Sequence, residues 1–169
     1  QALCDRLRIG TKPELNRVMK HLLDLASRGD PADSRIYGYL NEHIDDGRVR
    51  GLQGKKCIDV GKGVYLAGSD LFFDEVPFGK YRRHLPESLS EFRGLFEVLG
   101  VKARAAITPG DLVELLLEVA SEFASLNRIP DHDAAAVMRS ILRLLREAQL
   151  RDAGSVQEAA GRVSDKKCL

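Results

Sequence analysis

The sequence predicts an α+β protein: a helical hairpin, a small antiparallel β-meander, and then a bundle of three to four helices packed on it. Three observations predict this. Apolar residues recur at helical spacing before residue 47 and again after Pro86. Between them, glycines at 51, 54, 61, 63 and 68 cut the chain into short runs rich in Val, Ile, Tyr and Phe, the composition of short strands. Hydrophobic residues make up 44% and charged residues 30% of the 169, a balance that lets the chain bury a core rather than stay disordered.

In the first helix, expected from about 13 to 28, Thr11 and Glu14 have capping-box spacing. Leu15, Val18, Leu22 and Leu25 then form one face, and Gly29 ends the helix. Asp30 as N-cap and Pro31 at the first helical position start a second helix, with Ile36, Tyr39, Leu40 and Ile44 apolar, up to Gly47. The meander is expected as three or four strands near 49–53, 56–60, 63–66 and 70–73, too few to be stable without helices against their apolar face.

After Pro86, the residues Leu89, Phe92, Leu95, Phe96 and Leu99 repeat at three and four, and Gly100 closes the run. Pro86 biases Leu85 toward extended geometry and presets φ for a helix start, so residues 80–101 read as a corner from strand to helix. Thr108, Pro109 and Asp111 open the next helix, with Leu112, Leu115, Leu116, Val119, Ala120 and Phe123 inward. A last long helix carries Val137, Met138, Ile141, Leu142, Leu144 and Leu145, with Arg139, Arg143 and Arg146 on another side. A shorter one follows at 155–164.

No long polar linker divides residues 1–169, which read as a single compact segment of a larger protein, with hairpin (1–47), meander (48–76) and helical part (77–169). The start lacks an initiator Met and a signal-peptide core, and Cys4, Cys57 and Cys168 stand at wide spacing without a C-x-x-C pair. The expectation is a cytoplasmic fragment with reduced thiols. A net charge of +1 and the lack of a long apolar run make neither nucleic acid nor a membrane the expected partner.

Little in the sequence points to catalysis. Gly61-Lys62-Gly63 is followed by strand-forming Val64 and Tyr65 rather than by Gly-Lys-Ser/Thr and a helix, so it reads as a hairpin turn, not a phosphate loop. His21, His43, His84 and His132 lie on separate elements, without the spacing of a helical zinc site, and no metal site is expected. No G-x-S-x-G elbow is present, and Asp45, Asp46, Asp74 and Glu75 read as solvated turn residues. The surface with most chemistry is basic: Lys80, Arg82, Arg83 and His84, with Tyr81 available to stack and the Arg139, Arg143 and Arg146 row a candidate extension of it. Tyr81, Arg82, Arg83, Arg139 and Arg143 are the candidate binding residues. They either recognise an anion or pair with acids of the same fold.

The order of these signals resembles the internal repeat regions of sacsin and sacsin-like giant proteins. "GKKCIDVGKGVYLAGSDLFFDE" is followed by "FGKYRRHLPESLSEFRGLFEVLGV", then by "TPGDLVELLLEVA" and "AAAVMRSILRLLRE". Tyr81, Leu85, Pro86, Leu89, Phe92, Leu95, Phe96, Leu99, Gly100 and Val101 occupy positions of the family's strand-to-helix phrase, and the resemblance covers most of residues 12–150. It implies a non-catalytic segment of a chaperone-type repeat that couples an ATPase domain elsewhere in the chain to clients or neighbouring domains. No cofactor is implied for this stretch, self-association of the fragment is allowed for, and "KKCL" would begin a further strand. The competing expectation is a free-standing module that recognises an acidic peptide or RNA through its arginines.

Overall fold

The computed structural model describes residues 13–126 and 132–164, and its fold is α+β. The chain divides into two compact units. Among the described residues, one combines 13–73 with 85–102, the other 74–84 with 103–126 and 132–164. The sequence marks breaks at 47 and 76 instead. The grouping differs because the run after Pro86 returns to the first unit: the Leu85 N–H donates to the Phe72 carbonyl at 2.7 Å.

In the first unit, α1 (Leu15–Arg28) buries Leu15 and Leu22 and ends at Gly29, whose φ of 71° needs no side-chain accommodation. Its N-cap is Glu14, without a side-chain bond, and Thr11 lies outside the described residues. Helix α2 (Ser34–Glu42) begins later than Asp30-Pro31 suggests, with Asp33 as N-cap accepting from the Arg35 N–H. Residues 30–32 are held elsewhere by non-local bonds: the Tyr65 hydroxyl donates to the Asp30 carbonyl at 2.7 Å, and the Ala32 N–H donates to the Asp59 carboxylate at 2.9 Å. These bonds tie the segment to the strands and delay the helix.

Strands β1 (Ile58–Asp59) and β2 (Tyr65–Leu66) pair antiparallel with Ile58 opposite Leu66. Gly61-Lys62-Gly63 turns between them with positive φ at all three positions, so this is the hairpin expected. The stretch at 49–53 forms a 3-10 turn, Val49–Leu52, rather than a strand. Val49 and Leu52 are both fully buried, and the three-residue period of that turn puts both on one side where strand alternation would not. Strand β3 (Leu71–Phe72) is bridged in parallel to Lys102, with the Phe73 N–H donating to the Lys102 carbonyl at 3.0 Å.

The corner at Pro86 opens into a 3-10 stretch, Glu87–Phe92, and then α3 (Arg93–Val98). Leu85, Leu89, Leu95, Phe96 and Leu99 are buried, and Pro86 and Phe92 are half-buried. Phe92 instead covers Gly38, where an added Cβ would lie 3.5 Å from its ring. The α3 start is held by α2, since the Leu95 N–H donates to the Asn41 side-chain oxygen at 3.2 Å.

The second unit is built on α4 (Pro109–Leu126), α5 (His132–Arg151) and α6 (Ala153–Ser164), each packed on the other two. Thr108 and Asp111 close a reciprocal cap: the Thr108 N–H donates to the Asp111 carboxylate at 2.9 Å, and the Asp111 N–H to the Thr108 hydroxyl at 3.2 Å. Leu112, Leu115, Val119 and Phe123 of α4 are buried with Ala134, Val137 and Ile141 of α5 and Ala159 of α6. Two residues expected among the apolar faces are exposed, Ala120 and Leu142, the latter 53% accessible. Each sits about 100° round the helix from a buried neighbour, outside a stripe that Val119 or Ile141 already fills. Phe78, on the segment 74–84, is 1% exposed and was not singled out by periodicity. "KKCL" lies outside the described residues.

Candidate functional site

The basic run sits in the second unit, and its cations are engaged by α4. Arg82 lies 2.9 Å from the Glu118 carboxylate, with its side chain only 16% exposed, and also donates to the Tyr81 carbonyl at 2.7 Å. Lys80 lies 2.8 Å from Glu122 and over the Tyr81 ring at 5.0 Å. The Tyr81 hydroxyl is buried without a well-formed hydrogen bond among the described residues, and burial, followed by the Glu122 carboxylate, raises its pKa. Glu118 and Glu122 stand one helical turn apart, so one α4 face receives both cations. Arg83 is exposed, as are Arg139 and Arg143 on α5, where Arg143 lies 3.9 Å from Glu147. Arg82 and Lys80 therefore anchor the 74–84 segment to the bundle, whereas Arg83 and Arg139 face solvent.

The other singled-out residues are also placed. Asp46 pairs with Arg48 at 2.6 Å, which holds its carboxyl down at about 2, and Asp74 accepts from the Arg104 N–H at 2.8 Å. His43 stacks on Tyr39 at 4.3 Å, while His21, His84 and His132 are exposed on separate elements. Among the described residues no His, Cys, Asp and Glu cluster could hold a metal ion, and no helix is long and apolar enough to cross a membrane. Cys57 is buried, and desolvation pushes its thiol up to about 11, where it is a poor nucleophile.

A site that sequence reasoning missed lies in the second unit. An open groove of about 640 Å³ runs between residues 74–77, the loop leading into α4, and the end of α5 with the start of α6. Its apolar lining includes Pro77, Ile107, Leu112, Leu144 and Ala148. Charged groups border it: Asp74, Glu147 and Asp152 among the acids, Arg104 and Arg151 among the bases. The acids are occupied. Asp74 takes the Arg104 backbone N–H, Glu147 pairs with Arg143, and Asp152 caps α6 by accepting from the backbone N–H groups of Gly154 and Ser155 at 3.0 and 3.3 Å. The Arg151 Nε donates to the Glu147 carbonyl at 3.3 Å. Among the described residues, neither guanidinium has a carboxylate within ion-pair distance. No local pattern announces this groove, because three distant stretches make it. The one sequence signal is the Asp152-Ala153-Gly154-Ser155 cap that turns α5 into α6.

Comparison with family models, curated proteins and solved structures finds no match, so the site is read from its own residues.

Proposed function

We propose that this chain is a non-catalytic interaction segment of a sacsin-like chaperone repeat, coupling an ATPase domain elsewhere in the protein to clients or neighbouring domains in the cytoplasm. The joint spacing from Tyr81 to Val101 supports the family part of this reading. The observation that carries the interaction part is the second unit's groove, whose apolar lining and charged rim match the anatomy of a protein contact. The pairing of Arg82 and Lys80 with Glu118 and Glu122 weighs against the competing reading, since those cations already have carboxylates.

The test is aggregation of a chemically denatured client protein diluted into buffer with this chain, followed by light scattering without nucleotide. The reading expects scattering to fall as the chain approaches the client's concentration, and no phosphate release when ATP is added. Unchanged scattering, or steady release of phosphate from ATP, contradicts it.

A further inference from the structure

We propose that the groove of the second unit is a docking site for a partner-protein segment that presents leucine-like side chains flanked by carboxylates. The inference rests on the reading of the chain as an interaction segment and names the chemistry of what it holds. Two observations carry it. The floor is apolar and half-buried, with Ile107, Leu144 and Ala148 partly accessible and Leu112 buried. An apolar side chain entering there removes both surfaces from water.

The rim supplies the second observation, an imbalance of satisfaction rather than of charge. Asp74, Glu147 and Asp152 have donors or a cation of their own, whereas the guanidiniums of Arg104 and Arg151 have no carboxylate among the described residues. Incoming carboxylates would find two planar forks ready for bidentate contact. Nucleic acid fits less well, because the lining offers apolar side chains and no aromatic ring on which a base could stack. A basic peptide would meet Arg104 and Arg151, which have no carboxylate among the described residues.

The experiment measures fluorescence anisotropy of the whole chain with three short labelled peptides. One has two leucines flanked by glutamates, one replaces the glutamates by lysines, and one replaces the leucines by serines. A labelled oligouridine serves as the nucleic-acid probe. The expected result is binding of the first peptide alone, weakened by salt, and weakened roughly tenfold or more by R104E/R151E. R35E, changed at an arginine side chain that is 88% exposed in the other unit, should bind like the parent. Circular dichroism checks the double variant's fold. If it fails to fold, R104A and R151A tested singly take its place and should each weaken binding. Equal binding of all three peptides, preferential binding of oligouridine, no binding, or full binding by folded arginine variants overturns the proposal. Suppressed client aggregation without peptide binding would defeat this inference alone, and peptide binding without suppression would defeat the chaperone reading alone.

Discussion

The backbone N–H of Asp59 donates to the Tyr37 hydroxyl at 2.8 Å, and the same hydroxyl donates to the Cys57 carbonyl at 3.0 Å. Tyr37 is 1% exposed, its ring tilts against Phe96 at 5.5 Å, and burial raises its pKa well above the usual range. One side chain thus joins α2, β1 and α3. Tyr37→Phe leaves a buried donor and acceptor unmatched and should cost about 1–3 kcal/mol. Urea unfolding measures the cost, and amide exchange at Asp59 should quicken in step.

Phe96, the other member of that contact, is fully buried. Phe96→Ala should cost about 3–5 kcal/mol, whereas Phe92→Ala, at a half-buried ring, should cost clearly less. Thermal melting of the two variants against the parent checks the order.

Gly68 and Gly63 are places where two backbones meet. A Cβ at Gly68 would lie 2.2 Å from the Leu99 carbonyl oxygen, and one at Gly63 only 1.8 Å from that of Gly29. Backbone cannot move aside as a flexible side chain can, so G68A should cost about 3 kcal/mol. G47A, with nothing within 4 Å, is the control and should stay within about 0.5 kcal/mol of the parent.

If Arg82 belongs to the bundle, its loss should appear in stability. The pair with Glu118 is neither fully exposed nor fully buried, so R82A should cost about 1–2 kcal/mol. R82E should cost more, and R82E/E118R should recover part of it in a double-mutant cycle. R83A, at an exposed position, should leave the melting curve unchanged.

The buried thiol sets an alkaline limit. Below pH about 9 Cys57 is neutral whether the chain is folded or not, so its contribution is intact. Between about 9 and 11 the unfolded chain releases the thiol proton while the folded chain keeps it, so stability falls with rising pH. Urea unfolding at about pH 8 and about pH 10 should show this loss, and C57A should show a smaller one. Peptide mass mapping should find Cys57 alkylated by iodoacetamide only after unfolding.

What was legible in the sequence was mostly local. The Thr108 and Asp111 cap, the Gly29 helix end and the Gly61-Lys62-Gly63 turn rest on neighbours within a few residues, and each formed as its residues suggest. The start of α2 was misplaced because Asp59 and Tyr65, far along the chain, hold residues 30–32. Tyr37 was passed over because its place in the core depends on polar partners twenty residues away or more. The five candidate arginine and tyrosine positions divide between the 74–84 segment and α5, and the α4 acids that engage Arg82 and Lys80 lie some 36 to 42 residues further on. The groove has contributors from 74 to 155, a span no periodicity connects.

The most direct test is an amide chemical-shift titration of the isotope-labelled chain with the leucine and glutamate peptide. The account predicts shifts concentrated at Arg104, Ala105, Ala148, Arg151 and Ser155 around the groove, with residues near Arg83 undisturbed. Shifts centred on Arg83 and Arg139, or none at the groove when peptide is in excess, would contradict it.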